Sequence, residues 1–457
     1  MSKPSKSRRE KPRLREAERH QLEFRSYNLD SLLPDDHRAR LLWAAVGQLD
    51  LTSFYEEIEA RGSQPGRPAT DPKVLLTLWL YAISEGIGSA RHLARLCERD
   101  NVYRWICGGL SMNHHTLADF RVGHGEKLDD LMTQLLATLM HQGLVTLRRV
   151  TQDGVRVRAS AGAGSFRRRS TLSKCLKEAK SQMQELRRQL EEDPGSESTR
   201  EMAAKERAAR ERQERLTRAL AELDELEKQD RDKKSKSKAK AKSTKTKTKT
   251  KTKSKTKSKT KTKTTTTSER RVSTTDPQAR VMKMGDGGWR PAYNLQFAED
   301  TKENFIVGVG VTNIGSDKSQ MVPMRDQVIE RTGVQPREWL VDGGFVKLEA
   351  IHEMEAKGTR VYGPVPKPRK EGIDPHARKP EDTDETWRWR RRMKTESAKK
   401  KYRQRGAHAE LVNADLRAWR GLQQLPVRGE SKVKTVGVLM ALTYNLLKWT
   451  KLVPMPT

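Results

Sequence analysis

Apolar residues change their spacing several times along this chain. From Tyr27 to Val145 they recur at intervals of three and four, the period of helices that bury one face. The segments LPDDHRARLLWAAVGQL, PATDPKVLLTLWLYAISEG, SARHLARLCERD and HTLADFRVGHGEKLDDLMTQLLATLMHQG all carry that pattern. Asp71-Pro72 predicts a helix start, with Asp71 as cap and Pro72 in the first helical position, and Gly86 and Gly88 predict its end. Thr116 is expected to open a later helix. The turns are short enough for helix-turn-helix packing. From Thr146 to Arg158 the pattern becomes that of a strand, with Val150 before Asp153 and Val155 and Val157 after it.

A heptad seam follows. Leu176, Ala179, Met183, Leu186 and Leu190 form one stripe, and Met202, Ala209, Leu216 and Leu223 form another. Between them DPGSES reads as a turn, and Ser198 with Glu201 makes a capping box. The expectation is an antiparallel helical hairpin, or coiled-coil arms that pair between subunits. From about Lys233 to Thr267 only Lys, Thr, Ser and Ala remain, a composition that buries nothing and is expected to be disordered. Order resumes at Val272. AYNLQFAED and FIVGVGVTN read as strands, Gln320 to Thr332 as a helix, REWLVDGGF as a strand, LEAIHEMEAKG as a helix and TRVYGPV as a strand. A strand trio followed by alternating helices and strands predicts a mixed sheet covered by helices.

Charge alters this picture. The 457 residues, enough for about two to four domains, carry a formal net charge of +32 and a sequence pI of about 10.1. Sixteen lysines and no acid lie between Lys233 and Ser268, so that stretch supplies half of the net charge. Such a balance favours a polyanionic partner, nucleic acid before an anionic membrane. Cys97, Cys107 and Cys175 form no CxxC pair and no zinc-like spacing, which fits a reducing cytoplasm. The first 23 residues are charged, are expected to be disordered and lack the apolar run of a signal peptide. The most apolar stretch, Val436 to Leu447, is shorter than the roughly 20 residues of a membrane span and contains Thr443 and Asn445.

Three acids then stand out. Asp153, in VTQDGVRVRASAG, lies just after the short apolar end of a predicted strand. Asp342 ends the apolar strand of EWLVDGGF, with two glycines behind it that permit close approach of a ligand. Glu410 lies in a cation-rich helix, KYRQRGAHAELVNADLR. A lone Asp or Glu is ordinarily a solvated surface charge. Two strand-end aspartates and a helical glutamate, however, suit a pair of Mg²⁺ ions, which are hard cations and prefer oxygen. Around Glu410 the spacing is Tyr402, Arg405, Glu410, Arg417; the two arginines can hold phosphates beside a metal ligand, or pair within an exposed helix. Other motifs are weaker. His114-His115 has no partner cluster. Trp387 and Trp389, interleaved with Arg388 and Arg390, suit either base stacking or packing on the sheet. MGDGG, with Gly285, Gly287 and Gly288, is too irregular for a phosphate loop. Asp286 and Asp317 receive no catalytic role.

At this point the chain resembles the bacterial insertion-sequence DDE transposases whose catalytic helix carries a Tyr-Arg-Glu-Lys/Arg signature. YNLDSLLPDDH, GRPATDPKVLLTLWLYA and HHTLADFR resemble the family's helical N-terminal domain. VTQDGVRVRASAGAGSFRR, VSTTDPQARVMK, AYNLQFAED, VTNIGSDKSQM, WLVDGGF, WRRRMKTESAKKKYRQRGAHAELVNADLR and VRGESKVKTVGVLMALTYNLLK resemble its catalytic blocks in order. The resemblance implies an all-α N-terminal domain that binds DNA ends, and a ribonuclease H-like α/β domain interrupted by the coiled-coil and Lys/Thr-rich insertion. Together with the composition and heptad pattern, it divides the chain into a basic tail over 1–23, the helical domain over 24–145, the first catalytic strand over 146–170 and the helical insertion over 171–230. A disordered linker would follow over 231–271, the rest of the catalytic domain over 272–450 and a tail over 451–457. By position, Asp153, Asp342 and Glu410 match the catalytic, metal-binding triad, and Tyr402, Arg405 and Arg417 match the DNA-contacting positions. The implied cofactor is two Mg²⁺, with Mn²⁺ as a substitute. The implied partners are double-stranded element ends and target DNA, and a second copy of the chain or a larger synaptic assembly, in the bacterial cytoplasm on the nucleoid, with no membrane partner. Two features depart from the pattern. Arg417 stands where many members have Lys, and the Lys/Thr tract has no counterpart. A transposase derivative that binds DNA without cutting it, and a nuclease without strand transfer, are the alternatives.

Overall fold

The computed structural model describes residues 28–61, 68–192, 199–245, 269–368 and 371–454. Its first helices are α1 (Arg38–Val46), α2 (Thr52–Glu56), α3 (Pro72–Ser84), α4 (Ala90–Arg99), α5 (Asn101–Cys107), α6 (His114–Gly123) and α7 (Gly125–His141). Asp71 caps α3 as expected, its carboxylate accepting from the Lys73 N–H at 2.8 Å. Every residue from Val74 to Ser84 is buried, so α3 is a core helix, apolar all round. Helix α6 begins at His114, two residues before the expected Thr116, because Asn113 provides the cap by accepting from the His115 N–H at 2.9 Å.

The chain then enters β1 (Arg149–Arg158), which becomes the middle of the sheet. After the short β2 (Phe166–Arg167) come the long helices α8 (Arg169–Glu192) and α9 (Thr199–Lys245), then β3 (Val272–Ser273). Strands β2 and β3 pair antiparallel at the base of this insertion. Leu172 and Ala179 of α8 pack with Leu216, Ala219 and Leu223 of α9 and with Val272. The seams thus close an intramolecular helical hairpin, and its two ends return to one place in the fold. The hairpin outlasts the expected boundary at 231. Helix α9 continues to Lys245 because KKSKSKAKAKSTK contains no Gly or Pro and is rich in Lys and Ala, both good helix formers. The expected tail over 1–23, the DPGSES turn with Ser198, and most of the Lys/Thr tract lie outside the described residues.

Next come β4 (Arg280–Lys283), β5 (Trp289–Asp300), β6 (Phe305–Thr312), α10 (Met321–Thr332), β7 (Glu338–Leu340), α11 (Leu348–Ala356) and β8 (Arg360–Tyr362). Strand β1 pairs antiparallel with β5, and β5 with β6. On its other edge β1 pairs parallel with β7, and β7 with β8. Strand β4 lies antiparallel beside the start of β5, joined to it through the MGDGG turn, where Asp286 accepts from the Gly288 N–H at 3.0 Å. The order β6–β5–β1–β7–β8, an antiparallel trio flanked by two parallel strands, is the mixed, ribonuclease H-like sheet that the pattern predicts.

Three helices close the chain: α12 (Asp384–Lys394), α13 (Glu396–Ala418) and α14 (Glu430–Leu452). Within α12, Trp389 is fully buried and Arg390 forms a buried ion pair with Asp382 at 2.8 Å, so this part of TWRWRRRMK packs against the body. Residues Val436 to Leu447 of α14 are all buried. Helix α14 packs on β5 and β6 on one side and on α1, α3 and α7 on the other. Asn445 clamps β6 directly, accepting from the Ile306 N–H at 2.9 Å and donating to its carbonyl at 2.8 Å. One hydrophobic core therefore runs from the N-terminal helices through α14 into the sheet. The helical region does not close on itself. No helix among the described residues is long and apolar enough to cross a membrane.

Candidate active site

Alternation along β1 divides its side chains between two layers. Thr151, Asp153, Val155 and Val157 face α13, while Gln152, Gly154 and Arg156 face the loop that precedes α10. Asp153 lies in the middle of β1 rather than after its end, since pairing with β5 continues to Arg158. Its position is special because of the other edge. Parallel pairing with β7 stops at Thr151↔Leu340, and Asp342 follows two residues later. The two aspartates thus stand where the sheet opens at the carboxyl end of a parallel strand, the usual place for a site in open α/β sheets. Asp342 accepts from the Gly344 N–H at 2.7 Å, and a side chain at Gly344 would crowd that carboxylate, its Cβ lying 3.0 Å from Oδ1.

Helix α13 lies across this opening. It buries Ala409, Val412 and Leu416 against the core and turns Arg405 and Asn413 towards Asp153. The Arg405 guanidinium is 3.1 Å from Asp153 Oδ1, and the Asn413 amide donates to Oδ2 at 2.9 Å. Burial pushes the Asp153 carboxyl above its ordinary range. Arg405 and a backbone N–H oppose that shift, and the charges of Asp342 and Asp317 add to it. Tyr402 is half-buried against the same core, its hydroxyl pushed up by burial, with Arg405 opposing and Asp342 adding. Glu410 is exposed, its carboxylate lying back along α13 so that Oε1 is 3.7 Å from where a Gly406 Cβ would stand. Arg417 is exposed in the last turn of the helix.

The fold therefore gathers Asp153, Asp342, Tyr402 and Arg405, with Glu410 on the covering helix and Arg417 further along it. Among the described residues, no three His, Cys, Asp or Glu side chains converge closely enough to hold a metal ion. The donor chemistry nevertheless fits a hard cation. The carboxylates of Asp153 and Asp342 flank the opening, and the buried Oδ1 of Asn413 has no hydrogen-bond partner among the described residues. The rings of His114 and His115 lie beside each other, with centroids 4.1 Å apart.

Asn413 and Glu299 escape sequence reasoning, and Asp317, which receives no catalytic role from it, stands beside them at the site. Asn413 lies one turn beyond Glu410, and its spacing was the available signal. Asp317 approaches from the opposite face, its Oδ1 accepting from Asn294 and Gln296, both at 2.7 Å. Gln296 in turn accepts from Gln152 at 3.1 Å, and Gln152 accepts from the Trp339 indole at 3.2 Å, so a buried polar network braces β1, β5 and β7. Glu299, an acid within an otherwise buried strand, is itself fully buried, and neither carboxyl oxygen has a partner among the described residues. Burial holds its carboxyl well above the ordinary range. The charge of Asp153 adds to the shift, and Arg405 and Lys448 oppose it.

The network also explains the glycine of Gln-Asp-Gly. A Cβ at Gly154 would stand 2.3 Å from Gln296 Nε2 and 2.5 Å from Asp317 Oδ1. Gly154→Ala is expected to cost about 2 kcal/mol through overpacking. Chemical denaturation checks this, and a cost below about 0.5 kcal/mol would mean that the amides yield freely.

A family model described as a transposase domain (DUF772) matches residues 27–122, the N-terminal helices. A second, the transposase DDE domain, matches residues 260–446, from just before β3 into α14. No curated protein and no solved structure matches the chain. Strand β1 falls outside the second match, and the helical insertion separates it along the chain from the rest of the sheet, but pairing with β5 and β7 places it at the centre. Helical domain and DDE sheet occur in the expected order, and the chain belongs to the insertion-sequence DDE transposases.

Proposed function

We propose that this transposase cleaves DNA at the terminal inverted repeats of its own insertion sequence and joins the freed ends to a target. The observation that carries this reading is the placement of Asp153 and Asp342 at the opening between β1 and β7, beneath the helix that bears Tyr402, Arg405, Glu410 and Arg417. Asp153, Asp342 and Glu410 would hold the cation pair, Mg²⁺ or Mn²⁺. When bound, that pair activates water and neutralises the leaving oxygen of an in-line phosphoryl displacement.

The protein groups do the rest. Arg417 is exposed on the surface of α13 and offers a fork to a phosphate. Arg405 neutralises Asp153 in the absence of DNA and lies close enough to reach a phosphate next to it. Tyr402, on the same helix, is a further DNA-contacting group. The N-terminal helices recognise the end sequence. Because two ends must meet, the working unit is a dimer or larger, and the outer surfaces of α8 and α9 offer one interface. Its DNA substrates place the protein in the cytoplasm, on the nucleoid.

The test is incubation of the purified protein with DNA carrying both element ends and a target plasmid, in Mg²⁺ or in EDTA. End nicks and joined products in Mg²⁺ alone are expected. Nicks without joined products would reduce the reading to a nuclease, and end binding without nicks would reduce it to a DNA-binding derivative.

A further inference from the structure

Two groups near Asp153 hold buried polar atoms without hydrogen-bond partners among the described residues, and they carry opposite charge character. One is Glu299. It lies opposite Thr151 on β5, while Asp153 lies opposite Phe297, so Glu299 and Asp153 are diagonal neighbours on one face of an antiparallel pair. Such residues stand about 7 Å apart. Both Glu299 oxygens are buried and unbonded among the described residues. The other group is Arg405. One of its terminal nitrogens contacts Asp153, but its Nε is buried and has no partner among the described residues. The charged side chains whose fields reach Glu299 are Asp153, Arg405 and Lys448, and the Lys448 ammonium sits over the Phe305 ring, 5.9 Å from its centroid.

Buried polar groups are almost always hydrogen-bonded, and a carboxyl left unbonded is costly. An acceptor without a donor, next to a donor without an acceptor, implies a second arrangement in which the two meet. We propose that Glu299 is the alternate partner of Arg405 in the protein free of DNA: when a divalent cation takes the Asp153 carboxylate before DNA arrives, the guanidinium turns from Asp153 to Glu299. The inference rests on Asp153 being a metal ligand. A cation at Asp153 repels Arg405, and the site loads only if that guanidinium has somewhere to go. Glu299 shares a sheet face with Asp153, the carboxylate that Arg405 now contacts, and its carboxyl oxygens have no partner among the described residues. As the guanidinium arrives it favours the ionised carboxylate, whose proton passes to solvent. Glu299 is thus a positioning residue that acts through Arg405.

The experiment is Mn²⁺ calorimetry on the full chain without DNA, counting only the binding that Asp153→Asn removes. Glu299→Leu fills the space without an acceptor, and Glu299→Gln keeps the shape without the charge. The expected result is a weakening of about tenfold for Glu299→Leu, the size of effect typical of groups behind a metal ligand, and a smaller weakening for Glu299→Gln. In an Arg405→Met background, neither change should alter the Mn²⁺ affinity. The proposal is overturned if Glu299→Leu and Glu299→Gln bind Mn²⁺ as the parent does, or if the weakening persists without Arg405. If Asp153→Asn removes no Mn²⁺ binding at all, the metal-ligand reading itself fails, a result separable from the other two.

Discussion

Asp153→Asn should lower Mg²⁺-dependent nicking of the element ends by at least about a thousandfold, because it removes a charge that acts directly on the reacting phosphate's environment. The substitution preserves size and leaves β1 paired on both sides, so the fold should survive. Asparagine can still meet Arg405 and Asn413, but it offers the cation one neutral oxygen in place of a charged pair. End binding, measured by gel shift in EDTA, should stay within a few-fold of the parent, since the N-terminal helices and the basic surface are untouched. Nicking within tenfold of the parent would mean that Asp153 is no ligand. An equal loss of end binding would mean that the substitution damages the fold rather than the chemistry.

The second large effect is on stability. Trp339→Ala should cost about 4 kcal/mol, within the range for truncating a buried tryptophan. Strand β7 has three residues, Trp339 is the middle one, and its side chain is fully buried. Its indole N–H also donates to Gln152, so truncation leaves a cavity and withdraws a donor from the buried network beneath Asp153. Asp342 lies three residues beyond Trp339, and the sheet opening is formed where β7 ends. The variant should therefore lose nicking activity even at temperatures where it remains folded. Denaturant unfolding checks the first statement. A cost below about 1 kcal/mol would show that β7 contributes little to holding the opening.

Much of this architecture was legible in the sequence because the relevant strands announce themselves. Phe305, Val307 and Val309 alternate, and EWLVDGGF puts an acid at the end of an apolar run, so the place of Asp342 after a strand and the succession of strands and helices along the chain could be read directly. Asp153 was located, but its place in mid-strand was not. Asp and Gly are poor strand formers, and only pairing with a strand more than a hundred residues away carries β1 through them. The role of α14 was hidden for another reason. Its apolar run signals burial, but periodicity does not say against what, and the answer is two layers at once. The extra turns of α9 reflect helix propensity in a stretch whose composition otherwise suggested disorder. Asn413 and Glu299 were missed because their partners lie on other elements, and nothing local to a single segment reports a buried network.

The most direct measurement of the central claim is end nicking by Asp153→Asn, Asp342→Asn and Glu410→Gln singly, beside the chain carrying all three. Residues that act as one unit give strongly non-additive losses. The account predicts that each single variant falls to about the same floor as the triple variant. A Glu410→Gln protein that nicks nearly as well as the parent, or single losses that multiply to give the triple, would contradict a shared site built from the two aspartates and the helix that covers them.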